Sequence, residues 1–248
     1  MSLDIPLYLQ VAEELRRRIL DGALPAGSRI PSRVEIAQRY GVSEQVARHA
    51  VDVLTLEGFV DKRPGSGSYV RPKSTTRRLS RGRYLRQGSP FVHDMEAHGR
   101  EPSWEASSER TIAPITIAER LGITPGDRVM RTRYRYFADA EPVQLAISWE
   151  PLTITGGTPV VLPEEGPYAG HGVIERMDAI GVHITHVAEE ISARLPRRTE
   201  AEALATPSGI SMLLIQRTHY VDELPVETAD ITIPSDRYRV SYVIPVQG

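Results

Sequence analysis

Apolar residues recur with helical spacing at the start of the chain. Leu7, Val11, Leu15 and Ile19 follow one another at intervals of four, and Gly22 closes the pattern. This spacing places the four side chains on one face of a helix. The pattern predicts an amphipathic first helix that packs this face against the rest of its domain.

Two shorter helices are predicted next, each with a start and a stop signal. Ser32 is followed three residues later by Glu35, which is the pattern of a capping box, and Gly41 ends that helix. Ser43 then caps a third helix with an apolar stripe, which stops at Gly58. The spacing predicts two helices joined by a tight turn.

A strand, a turn and a second strand are predicted directly after the third helix. The segment is FVDKRPGSGSYV, with Pro64, Gly65, Ser66 and Gly67 at the tip of the turn. Helix, tight turn, helix and hairpin form the pattern of a winged helix-turn-helix. That pattern indicates a nucleic-acid-binding domain, because the major groove of DNA admits one α-helix.

The second half of the chain alternates strand patterns with shorter helical ones. The predicted strands are 128–137, 143–150, 185–194, 212–221, 225–233 and 238–246, and the predicted helices are 117–121, 172–180 and 199–204. Runs of mostly antiparallel strands with peripheral helices are typical of an α+β domain. The fold class predicted for the whole chain is therefore α+β.

The charge of the chain is unevenly distributed although its net value is only −2. Residues 71–92 carry seven Lys or Arg and no acidic residue, whereas residues 93–248 carry 14 basic and 23 acidic residues. Such a separation is typical of a polyanion-binding protein, and a solvated basic linker is the alternative. We predict a DNA-binding domain at 1–72, a basic linker at 73–90 and a second domain at 91–248.

Composition narrows the functional classes. The chain has no cysteine, so it holds neither a disulfide framework nor a thiolate metal site. No apolar run approaches the roughly 20 residues of a membrane helix, and the N-terminus lacks the pattern of a secretory leader. We expect a cytoplasmic protein without membrane contact, without a metal and without a cofactor.

The exposed start of the third helix carries side chains that can read bases. Gln45 can pair with an adenine edge, and Arg48 can bind guanine or a phosphate. The small residues at the hairpin tip would let its backbone approach the sugar-phosphate chain, and Lys62 and Arg63 would add positive charge there. An ordinary surface role for Arg48 is the alternative to base contact.

Residues 5–72 resemble the DNA-binding domain of the GntR family of bacterial transcription regulators. The resemblance rests on PLYLQVAEELRRRILDGALPAGSRIPS, GVSEQVARHAVDVLTLEGFV and RPGSGSYV. It implies a homodimer that places two such domains on a palindromic operator. From the residues and the resemblance together we expect these DNA contacts: Ser32, Arg33, Ser43, Glu44, Gln45, Arg48, Lys62, Arg63, Gly65 and Gly67.

The chain departs from the usual pattern of the family at three places. Arg33 stands where an acid is usual, Glu44 where an arginine is frequent, and Val46 with Ala47 where Thr-Val is usual. Arg33 would restore a phosphate contact that Glu44 cannot make, and Glu44 can accept a hydrogen bond from a cytosine amino group. The departures predict an operator different from the usual one of the family.

The second domain resembles the UTRA effector domain of the HutC subfamily. The resemblance rests on three segments that together cover about 140 residues, beginning LGITPGDRVM, GVIERMDAIG and MLLIQRTHYV. It implies a fold similar to chorismate lyase with an antiparallel sheet, and a small, often anionic metabolite as effector. Ligand binding in such domains shifts the spacing of the two DNA-binding domains.

Arg131, Arg133 and Arg135 alternate along one predicted strand and therefore project to one face. They would clamp an anionic ligand if that face lines a cleft, or form a structural ion-pair network with carboxylates if it does not. The resemblance assigns ligand contacts to Arg133, Arg135 and Glu227, and it finds Ala146 and Ile233 where other members have a glutamate and an aromatic residue. The residues expected at the effector site are Arg133, Arg135, Ser148, His171, Glu190 and Glu227.

Two other functions stay open beside a repressor controlled by a metabolite. One is a lyase-like enzyme fused to a DNA-binding domain, although no Ser-His-Asp arrangement or phosphate loop is present. The other is a DNA-binding regulator that needs no small-molecule effector. A metal at His183 and His186 is disfavoured, because residues three apart on a strand point to opposite faces. We predict a non-enzymatic regulator, most simply a repressor.

Overall fold

The computed structural model describes residues 5–72, 77–80 and 88–243. The elements of the first part are α1 (Leu7–Leu20), α2 (Arg33–Tyr40), α3 (Glu44–Leu56), β1 (Val60–Arg63), β2 (Gly67–Val70), β3 (Arg77–Ser80) and α4 (Pro90–Ala97). Then follow β4 (Pro102–Ile112), α5 (Ile115–Leu121), β5 (Arg128–Ala138), β6 (Glu141–Pro151), α6 (Leu152–Thr155) and α7 (Val173–Asp178). The last are β7 (His186–Arg194), α8 (Arg198–Ala203), β8 (Met212–Val221), β9 (Leu224–Pro234) and β10 (Tyr238–Ser241).

Packing divides the chain into two compact units. One comprises Met1–Thr75 and Leu195–Ser211, and the other comprises Thr76–Arg194 and Met212–Gly248. The connection between β7 and β8, which contains α8, thus belongs by packing to the unit of α1, α2 and α3. The domain boundaries drawn from the sequence, 1–72, 73–90 and 91–248, stay a prediction.

The first unit is built around one apolar cluster. The stripes of α1, α2 and α3 meet there with Val60 and Val70 of the hairpin, and Ile36 and Leu54 are fully buried. The hairpin strands β1 and β2 are antiparallel, with Arg63 paired to Gly67 across the turn. The predicted winged helix-turn-helix is thereby confirmed, and α3 lies with one face in this core and the other exposed.

The second unit is built on a six-stranded antiparallel sheet. The strand order is β4-β5-β6-β9-β8-β7, so β6 and β9 lie at the centre. The apolar side of the sheet packs against Phe91 and Met95 of α4, and α5 packs on the opposite side through Ile117 and Leu121. The predicted α+β fold with an antiparallel sheet is confirmed.

Part of the predicted linker forms a strand. β3 pairs in parallel with β10, and Leu79 in its middle is buried. Arg81, Arg83 and Arg86, which the sequence placed in the linker, lie outside the described residues. The described strand β3 belongs by packing to the second unit, so it is not a free connection.

Candidate nucleic-acid interface and candidate effector site

The N-terminal face of α3 is presented to solvent. Ser43, Glu44, Gln45 and Arg48 are exposed, while Ala47 on the same helix is buried in the core. The spacing from Glu44 to Arg48 is one helical turn, so the two side chains lie above one another on the exposed face. The structure therefore brings together the residues expected to read bases.

Two of the residues predicted to contact DNA also cap helices: Ser43 caps α3 and Ser32 caps α2. The Ser43 hydroxyl accepts a hydrogen bond from the backbone N–H of Val46 at 3.3 Å, which caps α3. The Ser32 hydroxyl accepts one from Glu35 N–H, and the Glu35 carboxylate accepts one from Ser32 N–H at 2.7 Å. This is the capping box that the sequence predicted for α2, and it fixes the turn that carries Arg33.

Replacing Ser43 by alanine is expected to lower the free energy of unfolding by about 1 kcal/mol, because the first turn of α3 loses its capping acceptor. Urea denaturation followed by far-UV circular dichroism measures this loss. Ser43→Thr is the matched control, since its hydroxyl can cap the helix in the same way. Equal stability of Ser43→Ala and the natural protein would show that the cap contributes nothing.

The hairpin is tied to α3 and carries positive charge near its tip. Lys62 on β1 forms an ion pair with Asp52 of α3. The Arg63 guanidinium lies over the Tyr69 ring, 4.2 Å from its centroid. Both cations are exposed, and so is Gly65 in the turn between the strands. The ion pair joins the wing to the helix expected to enter the groove.

Arg29 is a candidate DNA contact that the sequence did not single out. Gly67 has a φ of 108°, and a Cβ at this position would lie 2.8 Å from Arg29 Nε. The exposed Arg29 thus lies directly against the wing, and its backbone bridges to Tyr69. Only the pairing of residue 29 with the hairpin reveals this placement, and that pairing carries no local sequence signal.

The six residues expected at the effector site separate onto the two faces of the sheet. Residues paired across antiparallel strands share a face, and Thr132, Tyr134 and Tyr136 of β5 pair with Ser148, Ala146 and Gln144 of β6. This face lines a cavity of about 80 Å³ together with residues of α4, α7, β8 and β9. Ser148 and His171 line the cavity, and Glu227 lies on the same face with Ser148 as its neighbour.

Arg133 and Arg135 lie on the opposite face, and so does Glu190. Arg133 and Arg131 both bind the Glu109 carboxylate, with Arg133 Nη1 at 2.5 Å, and Arg135 lies 3.8 Å from Glu105. These contacts form the ion-pair network that the sequence left open as the alternative to an anion clamp. Glu190 is exposed and pairs with Gln216, whereas its neighbour Glu189 pairs with Arg217.

A buried polar network centres on Glu227. Its carboxylate accepts hydrogen bonds from Ser148 Oγ at 2.7 Å, from Arg217 Nη2 at 3.2 Å and from His219 Nδ1 at 2.6 Å. Burial alone would raise the pKa of Glu227, but Arg217, His219 and Ser148 together lower it to about 2. Because the carboxylate is ionised and can only accept, His219 must carry its proton on Nδ1.

His219 is buried beside this carboxylate and is held neutral. Burial and the positive charge of Arg217 lower its pKa, and they outweigh the opposing effect of Glu227. Among the described residues, Arg217 supplies the cation and Glu227 the anion of this network, and the neutral imidazole of His219 is buried beside them.

A second buried ion pair lies at the cavity wall. Arg176 of α7 binds the Glu150 carboxylate of β6, and its Nη1 also donates to the Val160 carbonyl oxygen at 3.0 Å. Both charged side chains are almost completely buried. Arg176 and Arg217 were not predicted as site residues. The carboxylate that binds Arg176 lies 26 residues away in the sequence, and the one that binds Arg217 lies across the β8–β9 hairpin.

His183 and His186, which the sequence analysis weighed as metal ligands, have separate neighbours in the structure. His183 contacts Asp178 through Nδ1 at 2.8 Å, whereas His186 stacks on the Tyr220 ring. Within residues 5–72, 77–80 and 88–243, no three His, Asp or Glu side chains are arranged to hold a metal ion. No helix in the described part of the chain is long and apolar enough to span a membrane.

Comparison with known proteins identifies both halves of the chain. Residues 7–70 match the family described as bacterial regulatory proteins, gntR family, and residues 97–239 match the UTRA domain. The chain is 27% identical to the HTH-type transcriptional repressor NagR of Bacillus subtilis, over 94% of this chain and 93% of that protein. An HTH-type transcriptional regulator of Streptomyces coelicolor is also 27% identical, over 98% of this chain and 94% of its own length.

Solved structures agree with these matches. A crystal structure of a GntR-family transcriptional regulator superposes with a TM-score of 0.73 at 46% identity, over 98% of this chain and 99% of that one. PhnF from Mycobacterium smegmatis superposes with a TM-score of 0.58 at 23% identity, over 96% of this chain and all of that one, which shows the fold. The resemblance to the HutC subfamily that the sequence indicated is thereby confirmed. The chain belongs to the GntR family of bacterial transcription regulators, as a DNA-binding regulator with a UTRA domain.

Proposed function

We propose that the protein is a cytoplasmic, homodimeric repressor that binds a palindromic operator and is released by a small molecule bound in its second unit. The exposed face of α3 carries this proposal. An isolated exposed helix face would not require a base-reading role, but this one combines Gln45 and Arg48 with a wing fixed to the same helix through Lys62.

The helix and the wing have different roles in this proposal. The α3 face reads base edges in the major groove, and Lys62, Arg63 and Arg29 bind the phosphates beside it. Basic residues of 71–92 add attraction that does not depend on sequence. Glu44 faces solvent next to Gln45, so it is placed to accept a hydrogen bond from a cytosine amino group and to disfavour a phosphate there.

The cavity supports control by a ligand. A protein interior leaves few voids larger than a water molecule, and this cavity is several times the roughly 10–15 Å³ that one water needs. Its wall carries hydroxyl, amide and guanidinium groups from Ser148, Gln144 and Arg217. A ligand that binds one dimer geometry better than another shifts the population towards that geometry. A few kcal/mol of differential affinity is enough to favour a dimer whose half-site spacing no longer fits the operator. The name of NagR as a repressor supports the sign of regulation.

Genomic footprinting of the purified protein tests the operator part of the proposal. We expect protected sites with two inverted half-sites about one helical turn apart, and a two-fold increase in mass over the monomer by sedimentation. Single half-sites bound by a monomer would contradict it. Loss of footprint on adding a metabolite from a pathway encoded beside the operator would support release by an effector, whereas a footprint unchanged by any such metabolite would favour a regulator without effector.

A further inference from the structure

Four aromatic rings surround one side of the cavity. The Tyr136 ring lies 4.6 Å from Phe91, 5.3 Å from Tyr134 and 6.5 Å from Trp104, measured between centroids, and Tyr134 and Tyr136 are nearly parallel at 14°. All four residues line the cavity. Such a surface offers flat π faces at spacings that a further ring can join by stacking or edge contact.

The aromatic wall is held in place by polar contacts. The Trp104 indole N–H donates to Glu164 Oε2 at 2.8 Å, and the backbone of Gly170 rests on the same ring, since a Cβ there would lie 3.3 Å from Trp104 Cζ2. Gly172 is equally confined, because its Cβ would lie 2.3 Å from the Gly88 carbonyl oxygen. The backbone at Gly170 therefore packs on the Trp104 ring, and the backbone at Gly172 packs on that of Gly88.

Among the described residues at the cavity, acidic side chains outnumber basic ones. Asp94 and Glu164 line it together with Arg176 and Arg217, and each arginine already binds a buried carboxylate, Glu150 or Glu227. A phosphate dianion placed there would have to compete with these carboxylates for the two guanidinium groups. The arginines of β5, which lie on the other face of the sheet, add no charge to the cavity.

We infer that, if the cavity is the effector site as proposed above, its ligand is a small planar ring compound with at most one negative charge, and not a sugar phosphate. The rings of Tyr134 and Tyr136 contact the flat face of the ligand. Gln144 and Ser148, which lie on the adjacent strand of the same face, bind a polar group at its edge. The volume of about 80 Å³ restricts the ligand to a single ring with short substituents.

Isothermal titration of the full chain with benzoate, benzamide, glucose 6-phosphate and inorganic phosphate tests the inference. We expect a dissociation constant at least tenfold lower for benzoate or benzamide than for either phosphate compound. Tyr136→Leu should raise that constant at least tenfold, while Arg133→Ala on the opposite face should leave it unchanged. Ring compounds should also quench the fluorescence of the natural protein more than that of Trp104→Phe, a readout that does not need the Tyr136 variant to fold.

Three outcomes would overturn the inference, and they differ in whether an effector at the cavity is still supported. Tighter binding of glucose 6-phosphate, lost in Arg217→Gln, would keep an effector at the cavity but assign it to another class. Binding of the ring compounds that Tyr136→Leu and Trp104→Phe do not change would place their site elsewhere. Binding of none of the probes, with operator binding unaffected by metabolites, would remove the effector from the proposed function as well.

Discussion

Replacing Arg48 by alanine is expected to weaken binding to the operator by about 1–3 kcal/mol, or roughly 5- to 150-fold in dissociation constant. Arg48 is exposed one turn after Glu44 on the face of α3 that carries Gln45, so its guanidinium is free to bind the O6 and N7 atoms of a guanine. The loss should fall on the natural operator and be absent from random duplex DNA. Fluorescence anisotropy at a fixed salt concentration measures both constants.

Arg17→Ala is the matched control for Arg48→Ala. Arg17 is an exposed arginine of α1 that pairs with Glu14 at 2.8 Å, so its removal changes the net charge of the same unit equally. It should leave the ratio of specific to random binding unchanged. An equal loss of affinity for operator and random DNA in Arg48→Ala would instead assign Arg48 to a phosphate, and base reading would then be left to Gln45 and Glu44.

The first unit could be predicted from the sequence because its determinants are local. Ser32 with Glu35 and Ser43 each signal a helix start within four residues, and the structure shows both caps. The glycine at position 41 adopts a left-handed φ of 63°, as a helix end requires. Signals that act over a few residues need no knowledge of the fold, so α2 and α3 begin and end close to their predicted positions.

Four helices and strands of the second unit were not predicted: β3, α4, β4 and α6. Of these, β4 and α4 lack a periodic apolar pattern. β4 is an edge strand whose segment SWEASSERT is mostly exposed, so apolar and polar positions do not alternate along it. α4 buries only Phe91 and Met95 and begins at Pro90, which the sequence assigned to the linker. By contrast, β8 at Met212–Val221, whose sequence begins with four apolar residues, was predicted at its observed bounds.

Sequence reasoning could not determine which face of β5 lines the cavity. Alternation correctly placed Arg131, Arg133 and Arg135 on one side, but it cannot tell which side of the sheet lines the cavity. That choice follows from the pairing of Tyr134 with Ala146 and from the position of α4, both of which are long-range contacts. The same limit hid Arg217, whose partner Glu227 lies across a hairpin on the next strand.

Replacing Glu227 by glutamine is expected to lower the free energy of unfolding of the chain by about 3–5 kcal/mol at neutral pH, more than any other single change proposed for this unit. Glutamine keeps an oxygen that can accept from Ser148, but it removes the negative charge that Arg217 faces in a fully buried site. The change therefore removes the anion from the ion pair between Glu227 and Arg217. Chemical denaturation followed by tryptophan fluorescence measures the loss.

The pH dependence of stability separates this charge effect from a simple packing defect. The pKa of Glu227 is about 2 in the folded chain against 4.5 as its ordinary value, so the native state binds fewer protons than the unfolded state between these values. Its contribution is therefore complete above about pH 4.5 and is lost as the pH falls towards 2. Glu227→Gln should flatten the stability curve over this window, whereas Glu190→Gln, an exposed glutamate on the other face, should keep the natural slope. A natural slope in Glu227→Gln would mean that folding does not lower the pKa of Glu227, and the proposed charge network around Arg217 would then be wrong.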